Sequence, residues 1–276
     1  MPELPEVETI RMQLESHVLG LSIHSLHVVR PDIVRGDIYA IQNASITAVR
    51  RFGKLLVIDT SIGLSMAIHL KMTGRVSLIA LEDDLLPHTH VQFFLEEKDG
   101  THTQQITFSD YRRFGFIHVL PTQEVTSLPF IQKLGKEPLK DLMLEDFIAL
   151  CGKTKRVTKT LLLDQQKIAG IGNIYASEAL WLSHIDPRRS ANTLTSKECR
   201  ALFDAIESVL AEGIARGGAS DNTYRNLLGG KGSYQDFFKV YNRAGKPCVR
   251  CGDDIKRIVQ TGRSTFYCPT CQHVRE

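Results

Sequence analysis

Chemistry could begin at the second residue of this chain. The sequence opens Met1-Pro2-Glu3-Leu4-Pro5-Glu6-Val7-Glu8-Thr9-Ile10. Removal of Met1 would leave Pro2 as a terminal secondary amine beside a carboxylate. An α-amino group titrates near ~7.7–8.0, against ~10.4 for lysine, so a useful fraction is an unprotonated nucleophile at neutral pH. A secondary amine that attacks an aldehyde-level carbon gives a cationic iminium, a strong electron sink. Pro2 is therefore a candidate for covalent catalysis, with Glu3 as the adjacent acid/base. The same stretch also reads as an ordinary helix start. Val7, Ile10, Leu14 and Val18 recur at helical spacing, Gly20 is a stop, and proline with glutamates suits a first turn.

The cysteines make the second constellation. Cys248-x-x-Cys251 and Cys268-x-x-Cys271 are separated by sixteen residues, the spacing of a closed tetrahedral Zn2+ site in which all four ligands are protein thiolates. Such a module is too small to bury a core, so one structural zinc per chain would supply its folding energy. Cys151 and Cys199 stand alone in the sequence. Between the pairs, Gly262-Arg263 falls at a hairpin tip, where a guanidinium could grip phosphate bidentately. Gly170-Ile171-Gly172-Asn173 precedes a helical run and could aim N–H groups at an anion, although a tight interhelical turn needs glycine too. His69-Leu70-Lys71-Met72-Thr73-Gly74 and Asp110-Tyr111-Arg112-Arg113-Phe114-Gly115 lie at strand ends. Met72, Arg112 and Phe114 on loop tips could wedge into a base stack and fill the space left by an extruded nucleotide. Lys54 follows Phe52-Gly53 at a strand start.

These groups need a scaffold. Residues 22–120 read as about eight short strands with turn signals at Ser61-Ile62-Gly63 and Lys98-Asp99-Gly100, which predicts a β-sandwich or barrel with the first helix on it. Pro121 to about Lys140 is proline-punctuated and reads as a linker. Helical patterns follow at Leu144–Cys151, Lys155–Leu163, Ile174–Ser183 and Ser196–Arg216. The fold class is thus α+β and multidomain, with domains over residues 1–125, 126–235 and 236–276. Hydrophobic content of 42% and charged content of 24% over 276 residues suit a globular chain, and no apolar run approaches the ~18 residues of a membrane helix. The expectation is a cytoplasmic, nucleoid-associated monomer with no membrane partner and no small-molecule cofactor. From residue 222 onward ten Lys/Arg face four Asp/Glu, a formal +6 against −3 for the residues before it. That asymmetry suits a local polyanion contact.

The opening MPELPEVET, the segment GIGNIYASEAL and the ending QTGRSTFYCPTCQ together resemble the bacterial formamidopyrimidine-DNA glycosylase family, over essentially the whole chain. The resemblance implies an N-terminal helix on a β-sandwich, a helix-two-turn-helix domain and a four-cysteine zinc finger. It implies repair of damaged double-stranded DNA, with excision of oxidised purines through a Pro2 Schiff base and then β,δ-elimination. Glu3 would protonate the sugar ring oxygen, with Glu6 in support. Lys54 would sit near the reacting sugar, and Arg263 would grip the phosphates flanking the lesion. His90 and Asn173 would bind DNA backbone, with His69 and Lys71 on the same surface. Met72, Arg112 and Phe114 would fill the void and probe the orphaned cytosine. Ser220, Thr223 and Tyr224 would line the base pocket, in a region that varies within the family.

Two other readings stand beside this one. Endonuclease VIII-like glycosylases share the Pro-Glu start and favour oxidised pyrimidines, and Leu4 with the Met72, Arg112 and Phe114 trio argues for the purine enzyme. A non-catalytic zinc-finger protein recognising damaged or single-stranded DNA would be indifferent to residue 2. Covalent trapping separates all three.

Overall fold

A computed structural model describes residues 1–221 and 223–273 of the chain, which divide into two compact units. The first comprises residues 1–132 with 216–233, and the second residues 133–215 with 234–273.

The first unit opens with α1 (Leu4–Val18), whose inward stripe is the predicted Val7, Ile10, Leu14 and Val18, all buried. Nine strands follow: β1 (Ser22–Val28), β2 (Val34–Arg35), β3 (Ile46–Phe52), β4 (Leu55–Thr60), β5 (Leu64–His69), β6 (Gly74–Ala80), β7 (Thr89–Glu96), β8 (Gln104–Asp110) and β9 (Phe116–Pro121). They form one sheet in the order β1-β7-β8-β6 and another in the order β2-β9-β5-β4-β3. All pairings are antiparallel except the two-residue β2 on β9, which is too short to leave a pattern in the sequence. One apolar core joins α1 to both sheets, with Ile58, Met66 and Ile117 from one sheet and Val91, Phe93 and Ile106 from the other. Each such side chain contributes about 1.5–3 kcal/mol on burial.

β4 is buried along its whole length, which accounts for its unbroken apolar run. Leu56 and Ile58 enter the main core, whereas Leu55 and Val57 face a second cluster with Val125, Leu128 and Ile131. The stretch read as a linker is therefore packed structure. A 3-10 helix (Thr122–Ser127) and α2 (Pro129–Gln132) bring those three residues, three apart in sequence, onto the sheet. Residues 216–233, read from sequence as part of the helical domain, also belong to this first unit. The Ser233 N–H donates to the Arg216 carbonyl at 2.9 Å, so the ends of this segment meet.

The second unit is helical, with α3 (Leu144–Gly152), α4 (Thr158–Leu163), α5 (Asn173–Leu182) and α6 (Ser196–Ala215), followed by the hairpin β10 (Lys256–Gln260) and β11 (Arg263–Tyr267). α5 is buried on nearly every side, because α4, α6 and β11 all pack on it. Cys151 of α3 and Cys199 of α6, solitary in sequence, are both buried and perturb one another, Cys199 acting to raise the Cys151 thiol and Cys151 to lower that of Cys199. The cysteine module has a small core of its own, and Trp181 of α5 completes it with Val240, Ile255 and Phe266. Among the described residues no helix is long and apolar enough to cross a membrane.

Candidate functional site

In the first unit Met1 is half exposed while Pro2 and Glu3 are buried. Glu3 caps α1 in extended conformation, and its N–H donates to Glu6 Oε2 at 2.7 Å. The other oxygen of that carboxylate, Glu6 Oε1, accepts from the Ala219 N–H, also at 2.7 Å. One buried side chain thus holds the residue after Pro2 and the 216–233 loop together. Gly218 makes room for it. Its φ is +81°, and a Cβ there would lie 2.9 Å from both Glu6 Cγ and Oε1.

Lys54 begins where the β3–β4 hairpin turns, after Gly53 with φ 56°. Arg51 ties this turn to α1: its Nε donates to Glu8 Oε2 and its Nη1 to the Gly53 carbonyl, each at 2.7 Å. Burial acts to raise the Glu8 carboxyl, but the hydrogen bonds and charges of Arg51 and Arg11 outweigh it and hold the group below its usual range. His69, at the end of β5, is pulled down to about 3 by burial and then by the charges of Lys71 and Lys54. It is therefore neutral at working pH. Its Nδ1 accepts the Lys71 N–H at 3.0 Å, so the ring proton sits on Nε2, leaving a donor for an anion.

Met72, Arg112 and Phe114 come together as expected. The Arg112 guanidinium lies 4.8 Å over the Phe114 ring, and Nη1 is 3.0 Å from Met72 Sδ. Met72 and Phe114 are 43% and 54% exposed, unlike core residues. Sequence reasoning missed what holds them. Buried Asp110 accepts from Thr73 Oγ1, from the Arg112 N–H at 3.2 Å and from the Gly115 N–H at 2.7 Å. His90 differs from a surface phosphate ligand: it is buried, with Nε2 2.9 Å from the Asp110 carbonyl. In this structure it supports the loop.

The base-pocket expectation needs correction at Tyr224. This residue belongs to the apolar core of the unit, and its hydroxyl donates to the Glu6 carbonyl at 3.3 Å. Burial first, and then the Glu6 charge, push its phenol upward. Ser220 is half-buried and its Oγ accepts from the Gly232 N–H at 3.0 Å; Thr223 is exposed.

In the second unit Thr261 and Gly262 both have positive φ, 47° and 76°, so β10 and β11 are joined by a two-residue type I′ turn. Arg263 follows on its exposed edge. The next residues are anchored from the helices. Lys159 of α4, 1% exposed, donates to the Ser264 carbonyl at 3.0 Å and to Thr265 Oγ1 at 2.9 Å. Asn173 Nδ2 donates to the same carbonyl at 2.9 Å, while its Oδ1 is buried without a partner. The Asn173 amide is thus occupied in holding the arginine hairpin, a use that the expectation of a direct phosphate contact did not include. Lys159 was missed because a lysine in a short helix gives no sign of burial. Gln165 was missed too: it clamps the turn between α4 and α5, donating to the Leu163 and Ile171 carbonyls and accepting from the Gly170 N–H.

The four thiol sulfurs of Cys248, Cys251, Cys268 and Cys271 lie within 4.8 Å of one another, with Cys248–Cys271 at 3.8 Å and Cys251–Cys268 at 3.4 Å. Tetrahedral Zn–S bonds of ~2.3 Å place sulfurs ~3.8 Å apart, so the donor set fits one structural zinc.

Comparison with known proteins covers almost the whole chain. The formamidopyrimidine-DNA glycosylase N-terminal domain matches residues 1–117, the H2TH domain of the same glycosylase residues 134–225, and the zinc finger found in FPG and IleRS residues 245–274. The formamidopyrimidine-DNA glycosylase of Pelotomaculum thermopropionicum is 44% identical over the full length of both chains. That of Listeria innocua is 39% identical over 99% of this chain and 100% of its own. Among solved structures, a Lactococcus lactis Fpg variant in complex with Fapy-dG-containing DNA superposes with a TM-score of 0.91 at 33% identity, covering 99% of this chain and 100% of that one. The MutM (FPG) protein of Thermus thermophilus gives 0.88 at 37% identity, over 98% of each chain.

Proposed function

The chain belongs to the formamidopyrimidine-DNA glycosylase family, and from that premise we infer how its residues divide the work. The protein is a base-excision repair DNA glycosylase and AP lyase that removes oxidised purines, 8-oxoguanine and formamidopyrimidines, from duplex DNA. Once Met1 is removed, the Pro2 nitrogen attacks C1′ of the damaged nucleotide as the base departs. The ring C–O bond opens with a proton from Glu3, leaving an iminium between Pro2 and the sugar. That cation acidifies the neighbouring C–H bonds, so the 3′ phosphate and then the 5′ phosphate leave by elimination. Glu6 positions the Glu3 backbone, and Lys54 supplies positive charge beside the reacting sugar and strand. The neutral His69 offers a donor to the backbone alongside Lys71, and His90 supports the loop that carries Arg112.

Met72, Arg112 and Phe114 occupy the space left by the extruded nucleotide, where unpaired groups of the opposite base need a partner. Arg263 binds the phosphates flanking the lesion, and Lys159 and Asn173 fix its hairpin. Zinc, held by the four cysteines, shapes that hairpin and takes no part in the chemistry. Ser220 and Thr223 remain as base-facing groups of the 216–233 loop. The protein acts in the cytoplasm on nucleoid DNA.

The observation that carries these residue assignments is the Glu6 bridge, which orders the residue next to Pro2 through two short charge-assisted bonds. Borohydride trapping on a duplex with one 8-oxoguanine opposite cytosine tests them. The native protein gives a covalent adduct that peptide mass spectrometry maps to Pro2, and Pro2→Gly, whose terminal amine is primary, gives less. An adduct that maps to any other residue of the native protein would reject Pro2 as the nucleophile.

A further inference from the structure

Three side chains that none of the groups above employs converge on the first sheet. His24 lies on β1, Glu96 ends β7, and His102 comes from the β7–β8 loop. The His24 and His102 rings are 4.4 Å apart between centroids. Between them the Glu96 carboxylate directs one oxygen to each: Oε2 is 3.6 Å from His24 Nδ1 and Oε1 is 3.9 Å from His102 Nε2. One nitrogen or oxygen from each of the three falls within 4.8 Å of the others. Both separations exceed hydrogen-bond length. Among the described residues, none of the three side chains forms a hydrogen bond.

Local structure puts them there. The β1–β7 register pairs Ile23 with Leu95 and Ser25 with Phe94, so His24 is the extra residue of a β-bulge. Bulges re-aim side chains at sheet edges, and β1 is an edge strand. His102 is held by a loop closed on itself. The Glu97 N–H donates to the Thr101 carbonyl at 2.9 Å, Gly100 N–H to the Glu97 carbonyl at 3.0 Å, and Thr103 Oγ1 to Glu97 Oε1 at 3.1 Å. Asp99 Oδ1 accepts from both the N–H and the hydroxyl of Thr101.

We propose that His24, Glu96 and His102 form a second metal site, which binds a divalent cation of the zinc class. Two imidazole nitrogens and a carboxylate oxygen are the borderline donor set that zinc, nickel and copper prefer over magnesium or calcium. Bonds of ~2.0–2.2 Å place tetrahedral donors ~3.3–3.6 Å apart. The observed spacing reaches this by small side-chain rotations. Three protein ligands on an exposed edge leave the remaining position to water. The site is chemically distinct from the all-thiolate finger, since it is open and reversible where the finger is closed.

The test uses the full-length protein already carrying its finger zinc. Zn2+ is titrated calorimetrically into the native chain and into His24→Ala, His102→Ala and Glu96→Gln. The native protein takes up a second equivalent, and each substitution weakens that binding at least about tenfold. Finger zinc content and borohydride trapping stay unchanged. No second equivalent, or a second equivalent of equal affinity in all three variants, would overturn the site. In a parallel titration with Co2+, the second ion lacks the thiolate charge-transfer absorption of a cysteine site. Its presence in that second ion would equally refute the assignment.

Discussion

Replacing Glu6 with glutamine changes one atom of a side chain that bonds in two directions. Its carboxylate accepts from the Glu3 N–H and the Ala219 N–H, both at 2.7 Å and both buried. A glutamine carbonyl can serve one of these donors, but its NH2 then faces the other. The retained bond loses its charge assistance, about 1 kcal/mol, and the orphaned N–H costs about 1–3 kcal/mol. The total is roughly 2–4 kcal/mol, shared between the start of α1 and the 216–233 loop. If half falls on the placement of Pro2 and Glu3, excision slows about 5- to 30-fold, at ~1.4 kcal/mol per decade. Single-turnover excision of 8-oxoguanine measures the rate, and thermal melting reads the remainder. Glu6→Asp, with the charge kept but the reach shortened, falls between the two. Excision within twofold of native, together with an unchanged melting temperature in Glu6→Gln, would refute the reasoning.

Other substitutions probe neighbouring links. Gly218→Ala places a Cβ 2.9 Å from the Glu6 side chain at φ +81°, so its melting temperature and excision rate should fall together, as for Glu6→Gln. Lys159→Met removes two bonds to the arginine hairpin but also relieves a buried ammonium. The net expectation is a 5- to 30-fold loss of duplex affinity, about 1–2 kcal/mol, with zinc content intact; unchanged affinity would reject the anchoring role. The Glu198 carboxyl is held at about 2 by its hydrogen bonds to Arg189, burial acting the other way and Thr195 adding to the depression. Because its folded value is depressed, its stabilising contribution is present above the ordinary 4.5 and is lost as pH falls toward about 2. Melting temperatures across that window should fall less for Glu198→Gln than for the native protein. Chelation of the finger zinc should abolish duplex binding, as monitored by anisotropy, and should affect Arg263→Ala far less.

Much of this protein is legible in its residues. The apolar stripe of α1, the turn signals and the cysteine spacing each encode a local rule, and the corresponding elements are present with ends shifted by a few residues. The Met72, Arg112 and Phe114 cluster followed from the family resemblance, since Met72 and Phe114 taken separately suit a core equally well. What escaped runs through backbone groups. Lys159 reaches a carbonyl in the distant hairpin, while Asp110 and Gln165 bond backbone groups of their own loops, and a backbone partner leaves no mark in the sequence. Tyr224 was misplaced because an aromatic residue in a glycine-rich stretch suits a pocket and a core equally well, and packing chose the core. The stretch after Pro121 looked like a linker because its prolines hid a three-residue apolar spacing.

The closure of the 216–233 segment bears on how such a repair protein can change. Its two ends are one hydrogen bond apart, between Arg216 and Ser233. Once a neck is closed, doubling the chain inside it costs only about 0.6 kcal/mol of closure entropy. Residues can therefore be inserted, lost or exchanged between the anchors of the loop at small entropic cost. The anchor at Ala219 must stay, because it shares the Glu6 carboxylate with the first residues of the chain. Tyr224 and Leu227 must stay as well, since both sit in the apolar core and the Leu227 carbonyl accepts from the Leu78 N–H of β6. On the proposed base-facing role of Ser220 and Thr223, a lineage can thus explore new lesions by editing the stretches between these anchors while its reaction chemistry stays inherited.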